Sequence, residues 1–217
     1  MDDRGTAFVI SVGHGIDQSV YADTVSGFEE AGLPVTLEQR EPEFFASLQY
    51  LAPTALVAYL CKPYTEKFLS KLAEDNYDSC KAGLKALWSK VAAKDRQLRW
   101  VATGTKGKVS DQSLLSEISF LARTSDGQAF RLLFPNDVSK EQFGDAVRDF
   151  YTLVAQHDRD LEGSPLGKQP PFQTSGTQQR VLTLGQGSHD LVEVDVVGTA
   201  RRGSLVTASV GPPQQGR

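Results

Sequence analysis

Two glycines bracket a histidine at Gly13-His14-Gly15, where the apolar run Ala7 to Val12 gives out and Asp17 follows. Glycine lets backbone N–H groups approach a ligand closely, and a helix starting there turns its positive dipole end toward the same point. An anion or a nucleotide ribose suits such a junction. The same residues also make an ordinary strand-to-helix turn with Asp17 as its N-cap, and they lack the third glycine of the dinucleotide fingerprint. Cys61 ends another apolar run, and a histidine beside a thiol generates the thiolate. His14 and Cys61 would therefore form a nucleophile and base if their loops were neighbours. A cysteine in that position serves equally as inert packing. The other histidines, His157 and His189, lie late in the chain, so no metal cluster and no Ser-His-Asp triad is assembled from sequence. Gly104-Thr105-Lys106-Gly107-Lys108-Val109-Ser110 resembles a phosphate-binding P-loop only superficially. Its glycine spacing is short, and Val109 stands where Ser or Thr should reach magnesium, so it reads as a basic surface turn.

The chain that positions these residues has 217 of them, 40% hydrophobic, enough for one substantial core with a smaller appendage. No basic-then-apolar leader follows Met1 and no membrane-length apolar run occurs, so neither export nor membrane spanning is expected, and the cytoplasm is the expected compartment. Cys61 and Cys80 are the only cysteines and form no CxxC pair, which argues against a disulfide framework or a cysteine zinc site. Net charge is −4 but unevenly spread: residues 1–43 hold nine acids against two arginines, and residues 62–108 hold eleven Lys/Arg against five acids. Such polarity suits an anionic ligand at the middle of the chain or self-association of one copy's acidic end with another's basic one, and the ordinary reading beside these is a solvated helix rich in lysine. Without an aromatic-basic motif it is no signature of nucleic-acid binding.

Strand and helix periodicities alternate. Ala7 to Val12 reads as a strand, and Ile16, Val20, Thr24, Phe28 and Ala31 fall on one helical face before the stop at Gly32. Val35 to Leu37 is a second strand, Glu43 to Leu51 a short helix, and Thr54 to Leu60 a central strand, apolar on both faces. Pro63 opens a helix that breaks near Asn76, and Leu98 to Thr103 gives a further strand. Ile118 to Thr124 and Ala129 to Phe134 flank Ser125-Asp126-Gly127-Gln128, a hairpin signal. Ser139 to Gln142 forms a capping box opening a helix with Phe143, Val147, Phe150, Tyr151 and Val154 on its buried side. After residue 161 come nine glycines and five prolines with one aromatic, Phe172. Yet Arg180 to Leu184, Leu191 to Val197 and Ser204 to Val210 are strand-like, so residues 161–217 are either a disordered extension or a small β appendage.

These elements predict an α/β, three-layer, flavodoxin-like domain over residues 5–160, with a mostly parallel sheet, an antiparallel hairpin at one edge and the Gly/Pro-rich extension. Parallel strands would gather their carboxyl-end loops on one rim. In the order 2-1-3-4-5, Gly13 to Asp17 and Cys61 to Tyr64 would then be neighbours.

The motif order over residues 5–75 resembles the Toll/interleukin receptor (TIR) domains. It runs from the strand Phe8-Val9-Ile10-Ser11 and the polar loop His14 to Asp17, through Phe28-Glu29-Glu30-Ala31-Gly32-Leu33-Pro34-Val35, to the strand Ala55 to Leu60 entering Cys61-Lys62-Pro63-Tyr64. Members of that family either self-associate as signalling adaptors or cleave nicotinamide from NAD. The resemblance thus implies an interaction or signalling module able to bind a nucleotide. The alternative it implies is an NAD glycohydrolase whose essential glutamate is Glu74 or Glu66, with Gly13, His14, Gly15, Asp17, Lys62 and Tyr64 holding the dinucleotide. Cys61 replaces the loop serine of the family pattern, and no Trp-Cys pair precedes Glu74. A hydrolase using Cys61 and His14 is the third expectation.

Overall fold

Phe8–Gly13 (β1) is buried along its whole length. The computed structural model that contains it describes residues 6–13, 17–40, 56–73, 77–92, 118–168, 172, 179–195 and 206–210. After β1 a single helical turn, Gln18–Tyr21, leads into α1 (Ala22–Glu30). That helix stops at Gly32, whose φ of 72° only glycine adopts freely. The chain returns as β2 (Val35–Arg40), parallel to β1 with Phe8 opposite Val35 and Gly13 opposite Arg40.

β3 (Leu56–Leu60) lies on the other side of β1 and runs antiparallel to it, with Phe8 opposite Leu60 and Val12 opposite Leu56. This corrects the expected parallel arrangement. Strand periodicity tells which face is buried but not which way the strand points, because an alternating or all-apolar run reads the same in both directions. Direction is decided by the connection, here residues 41–55. That stretch, with the expected helix Glu43 to Leu51, lies outside the described residues, as do the expected strand Leu98 to Thr103 and the Gly104 to Ser110 turn.

The helical run after Pro63 comprises α2 (Thr65–Ala73) and α3 (Tyr77–Ala92). β4 (Ile118–Arg123) is parallel to β3, and β5 (Ala129–Leu132) pairs antiparallel with β4 across the expected Asp-Gly turn, where Gly127 has φ 88°, but the hairpin lies inside the sheet and not at the expected edge, because a further strand pairs with β5. α4 (Lys140–Arg159) opens with the expected capping box: Gln142 N–H donates to Ser139 Oγ at 3.2 Å, and Ser139 N–H to Gln142 Oε1 at 2.9 Å. β6 (Gln179–Leu184) is parallel to β5, and β7 (Leu191–Val194) and β8 (Thr207–Ser209) add antiparallel strands.

One mixed sheet of eight strands results, in the order β2-β1-β3-β4-β5-β6-β7-β8. It is built from three parallel pairs (β1/β2, β3/β4 and β5/β6) joined to one another antiparallel, and a parallel pair requires a crossover, which helices supply. The described helices all join one core on one sheet face. Phe8, Ile10, Leu56, Ala58, Phe120 and Leu132 meet Phe28 of α1, Phe68 of α2, Leu84 of α3 and Phe143 of α4 there. No helix of a second layer is among the described residues, although Val9, Val57 and Val181 on the opposite face are buried too. Leu182 and Leu184 of β6 belong to the same core as Phe8, so the strands after residue 161 continue the main sheet.

Aromatic contacts knit the layers: Phe8 stacks on Phe28 at 4.6 Å, Phe68 meets the edge of Phe8 at 5.3 Å and of Tyr151 at 5.4 Å. Such pairs add about 0.5–1.5 kcal/mol beyond the area they bury. α1 and α3 approach through glycines, since a Cβ on Gly27 would stand 2.7 Å from the backbone nitrogen of Gly83.

Candidate functional site

The direction of β3 separates the residues expected to share a rim. Gly13 closes β1 at one end of the sheet, whereas Cys61 N–H donates to Ala7 O at 2.8 Å, beside the start of β1. Gly13 and Cys61, expected to border one pocket between the first and third loops, therefore stand a strand length apart. His14, Gly15 and Glu74 lie outside the described residues.

At the Gly13 end, Asp17 caps the following turn. Its Oδ1 accepts from Ser19 N–H at 2.9 Å and its Oδ2 from Ser19 Oγ at 2.7 Å, and these bonds lower its pKa. The N-cap reading of that residue is the one observed.

At the Cys61 end, Cys61 is buried, and Tyr64 N–H closes a turn on its carbonyl at 2.9 Å while the half-buried ring of Tyr64 packs on the core. Lys62 Nζ reaches Asp158 Oδ2 at 2.6 Å, and Ser125 N–H donates to Asp158 Oδ1 at 2.6 Å. Burial alone would raise the Asp158 pKa; the bonds from Lys62 and Ser125 outweigh it and hold the carboxyl at about 2. Glu66 pairs with Arg159 at 2.7 Å, both side chains largely in solvent. The last turn of α4, the loop after β3 and the β4–β5 turn thus converge, and Lys62, Tyr64 and Glu66 take part. Sequence reading missed Asp158, Ser125 and Arg159, partners that only the fold brings near.

Deeper in the same corner, His157 Nδ1 lies 2.7 Å from Ser164 Oγ and Nε2 lies 3.1 Å from Gln128 Oε1. With Nε2–H donating to the amide oxygen, Nδ1 accepts the serine proton, which is the spacing of a nucleophile, base and orienting group. Two observations make it a latch instead. Both His157 and Ser164 are 5% exposed. The serine oxygen, moreover, already accepts Gly167 N–H at 3.0 Å and so closes the turn after α4. Burial lowers the His157 pKa and nearby Arg180 lowers it further, against Asp126 and Asp158, so the ring is neutral where it holds the latch.

Arg180 completes the corner. Its Nε donates to Glu193 Oε1 at 3.0 Å and its Nη1 to Leu166 O at 2.7 Å, with Nη2 on Glu193 Oε2 and the Phe130 ring 5.9 Å away. Both ion-pair partners are buried. The charged side chains Lys62, Asp158, Glu66, Arg159, Arg180 and Glu193 of this corner are therefore each paired with another part of the chain.

The sheet edge differs. Among the described residues β2 has one strand neighbour, β1, so its outer row of N–H and C=O groups meets no other strand. Val35 and Leu37 point to the helical core, while Thr36 and Glu38 face the other way: Thr36 Oγ1 lies 2.9 Å from Thr6 Oγ1, and Ser11 Oγ donates to Glu38 Oε1 at 2.6 Å. Exposed Glu29 and Glu30 end the adjoining α1. The strand carries no proline and no lysine, the residues that usually blunt an edge.

No protein-family model, curated protein or solved structure matches this chain. Among the described residues no helix is long and apolar enough to cross a membrane, and no group of three metal-ligating side chains occurs.

Proposed function

We propose that this chain is a protein-interaction module that takes an extended segment of a partner onto the outer edge of β2. The observation that carries the reading is that edge itself: six residues whose outer backbone groups meet no strand among the described residues. Strand addition draws affinity from main-chain hydrogen bonds and specificity from alternate side chains. Val35 and Leu37 favour apolar partner residues on the helical face, and Glu38 favours Lys or Arg at the intervening positions. The role agrees with the associating branch of the TIR resemblance and makes no use of its enzymatic branch. Glu66 is tied to Arg159, and Gly13 and Lys62, both meant to hold NAD, lie toward opposite ends of β1.

Short extended peptides of alternating apolar and basic residues test the proposal. They should bind saturably and weaken as salt rises, because part of the attraction is between solvent-exposed charges. Thr36→Lys, at an exposed position of β2, should weaken binding about tenfold or more through like-charge repulsion, a cost of about 1.4 kcal/mol or above. Peptides that fail to bind, or that bind T36K as well as the wild type, contradict the proposal.

A further inference from the structure

The carboxyl ends of β5 and β6, a parallel pair joined by α4, enclose a cleft of about 440 Å³ at the Gly13 end of the sheet. Open α/β sheets bind ligands at such ends, and the volume falls within the range of about 300–1,000 Å³ used for small molecules. Pro135 and Leu184 give it an apolar patch. Its polar lining is Asn136, Asp137, Gln142, Gln186 and Ser188. Two of these are half-used by the fold in a defined sense. Gln142 Oε1 is taken by Ser139 N–H, which leaves its NH₂ as donor, and Ser188 Oγ accepts Asp190 N–H at 3.2 Å, which leaves its O–H as donor. Asn136 and Gln186 offer both a donor and an acceptor, and Asp137 offers acceptors alone.

Among the described residues no Lys, Arg or His lines this cleft, so a phosphate or nucleotide would find no cationic side chain there, only the dipole end of α4. A cation would find one carboxylate, but it would lie close to the N-terminal end of α4, where the helix dipole is positive. Hydroxyl groups, which donate and accept together, match the mixed lining best. We infer that the cleft binds a small, neutral, polyhydroxylated ligand of the sugar or polyol class, its ring C–H groups against Pro135 and Leu184. Gly185 keeps the turn open, since a Cβ there would meet Ser188 Oγ at 2.8 Å.

The full chain, labelled with ¹⁵N, can be titrated separately with D-glucose, myo-inositol, inorganic phosphate, AMP and putrescine. Saturable shifts of the Gly185 and Gly187 amides with glucose or inositol, and none with the charged compounds, are expected. Asp137→Ala and Gln186→Ala, both at exposed positions, should each weaken that binding fivefold or more with an unchanged fold by circular dichroism. A polyol should also raise the wild-type melting temperature, a readout that needs no variant. Silence of those amides toward both polyols, or a saturable response to phosphate, AMP or putrescine instead, overturns the assignment.

Discussion

Arg180 and Glu193 show how an ion pair can be indispensable without being favourable on balance. Two charges taken out of water lose solvation that their mutual attraction only partly returns, whereas removing one strands the other in the core. Arg180→Met should therefore cost about 3–5 kcal/mol, and the double change Arg180→Met with Glu193→Leu clearly less. Denaturant unfolding of Arg180→Met, Glu193→Leu and the double variant checks this, and additive losses would contradict it. The neighbouring latch gives a pH signature. His157 has a folded pKa below 6.5, so protons bind the unfolded chain more readily. Its contribution is whole above pH 6.5 and declines as pH falls below that value. Asp158 acts lower, its contribution present above 3.8 and lost as pH falls toward about 2. Unfolding free energy followed from pH 8 to pH 2 should fall in both windows, the upper decline disappearing in His157→Gln and the lower in Asp158→Asn.

At the scale of elements, the contact between α1 and α3 depends on the absence of two side chains. Alanine in an exposed helix would gain about 0.5–1 kcal/mol over glycine. At Gly27 the new methyl would press on the backbone of Gly83 and Ala82, which cannot rotate away, and overpacking of that kind costs about 1–3 kcal/mol. The clash outweighs the propensity, so Gly27→Ala should lower the thermal midpoint, while Gly144→Ala, with nothing within 4 Å, should not. Much at this scale was legible in the sequence because it is local. Asp126-Gly127 announced the β4–β5 turn, Ser139 and Gln142 the start of α4, and the alternation in Val192-Glu193-Val194 a strand. The direction of β3 was not legible, since Leu56 to Leu60 has no polarity of its own.

For the whole molecule that one reversal decides the functional geometry. It sends Gly13 and Asp17 to one end and Lys62, Tyr64 and Glu66 to the other, where Asp158 and Arg159 from the far end of α4 engage two of them. Partners so distant in sequence leave no spacing to read, and neither does the corner of His157, Ser164 and Gln128. With those groups held by the fold, β2 and β8 stand at the two ends of the described sheet with one strand neighbour each, and β2 is the longer, six residues against three, so it offers the longer row of backbone groups for hydrogen bonding. Isotope-edited NMR of the ¹⁵N-labelled chain with an unlabelled alternating apolar-basic peptide tests that claim most directly. The account predicts peptide-to-protein contacts along Val35–Arg40 and slowed amide exchange there. Contacts confined to any other surface, with β2 unchanged, would contradict it.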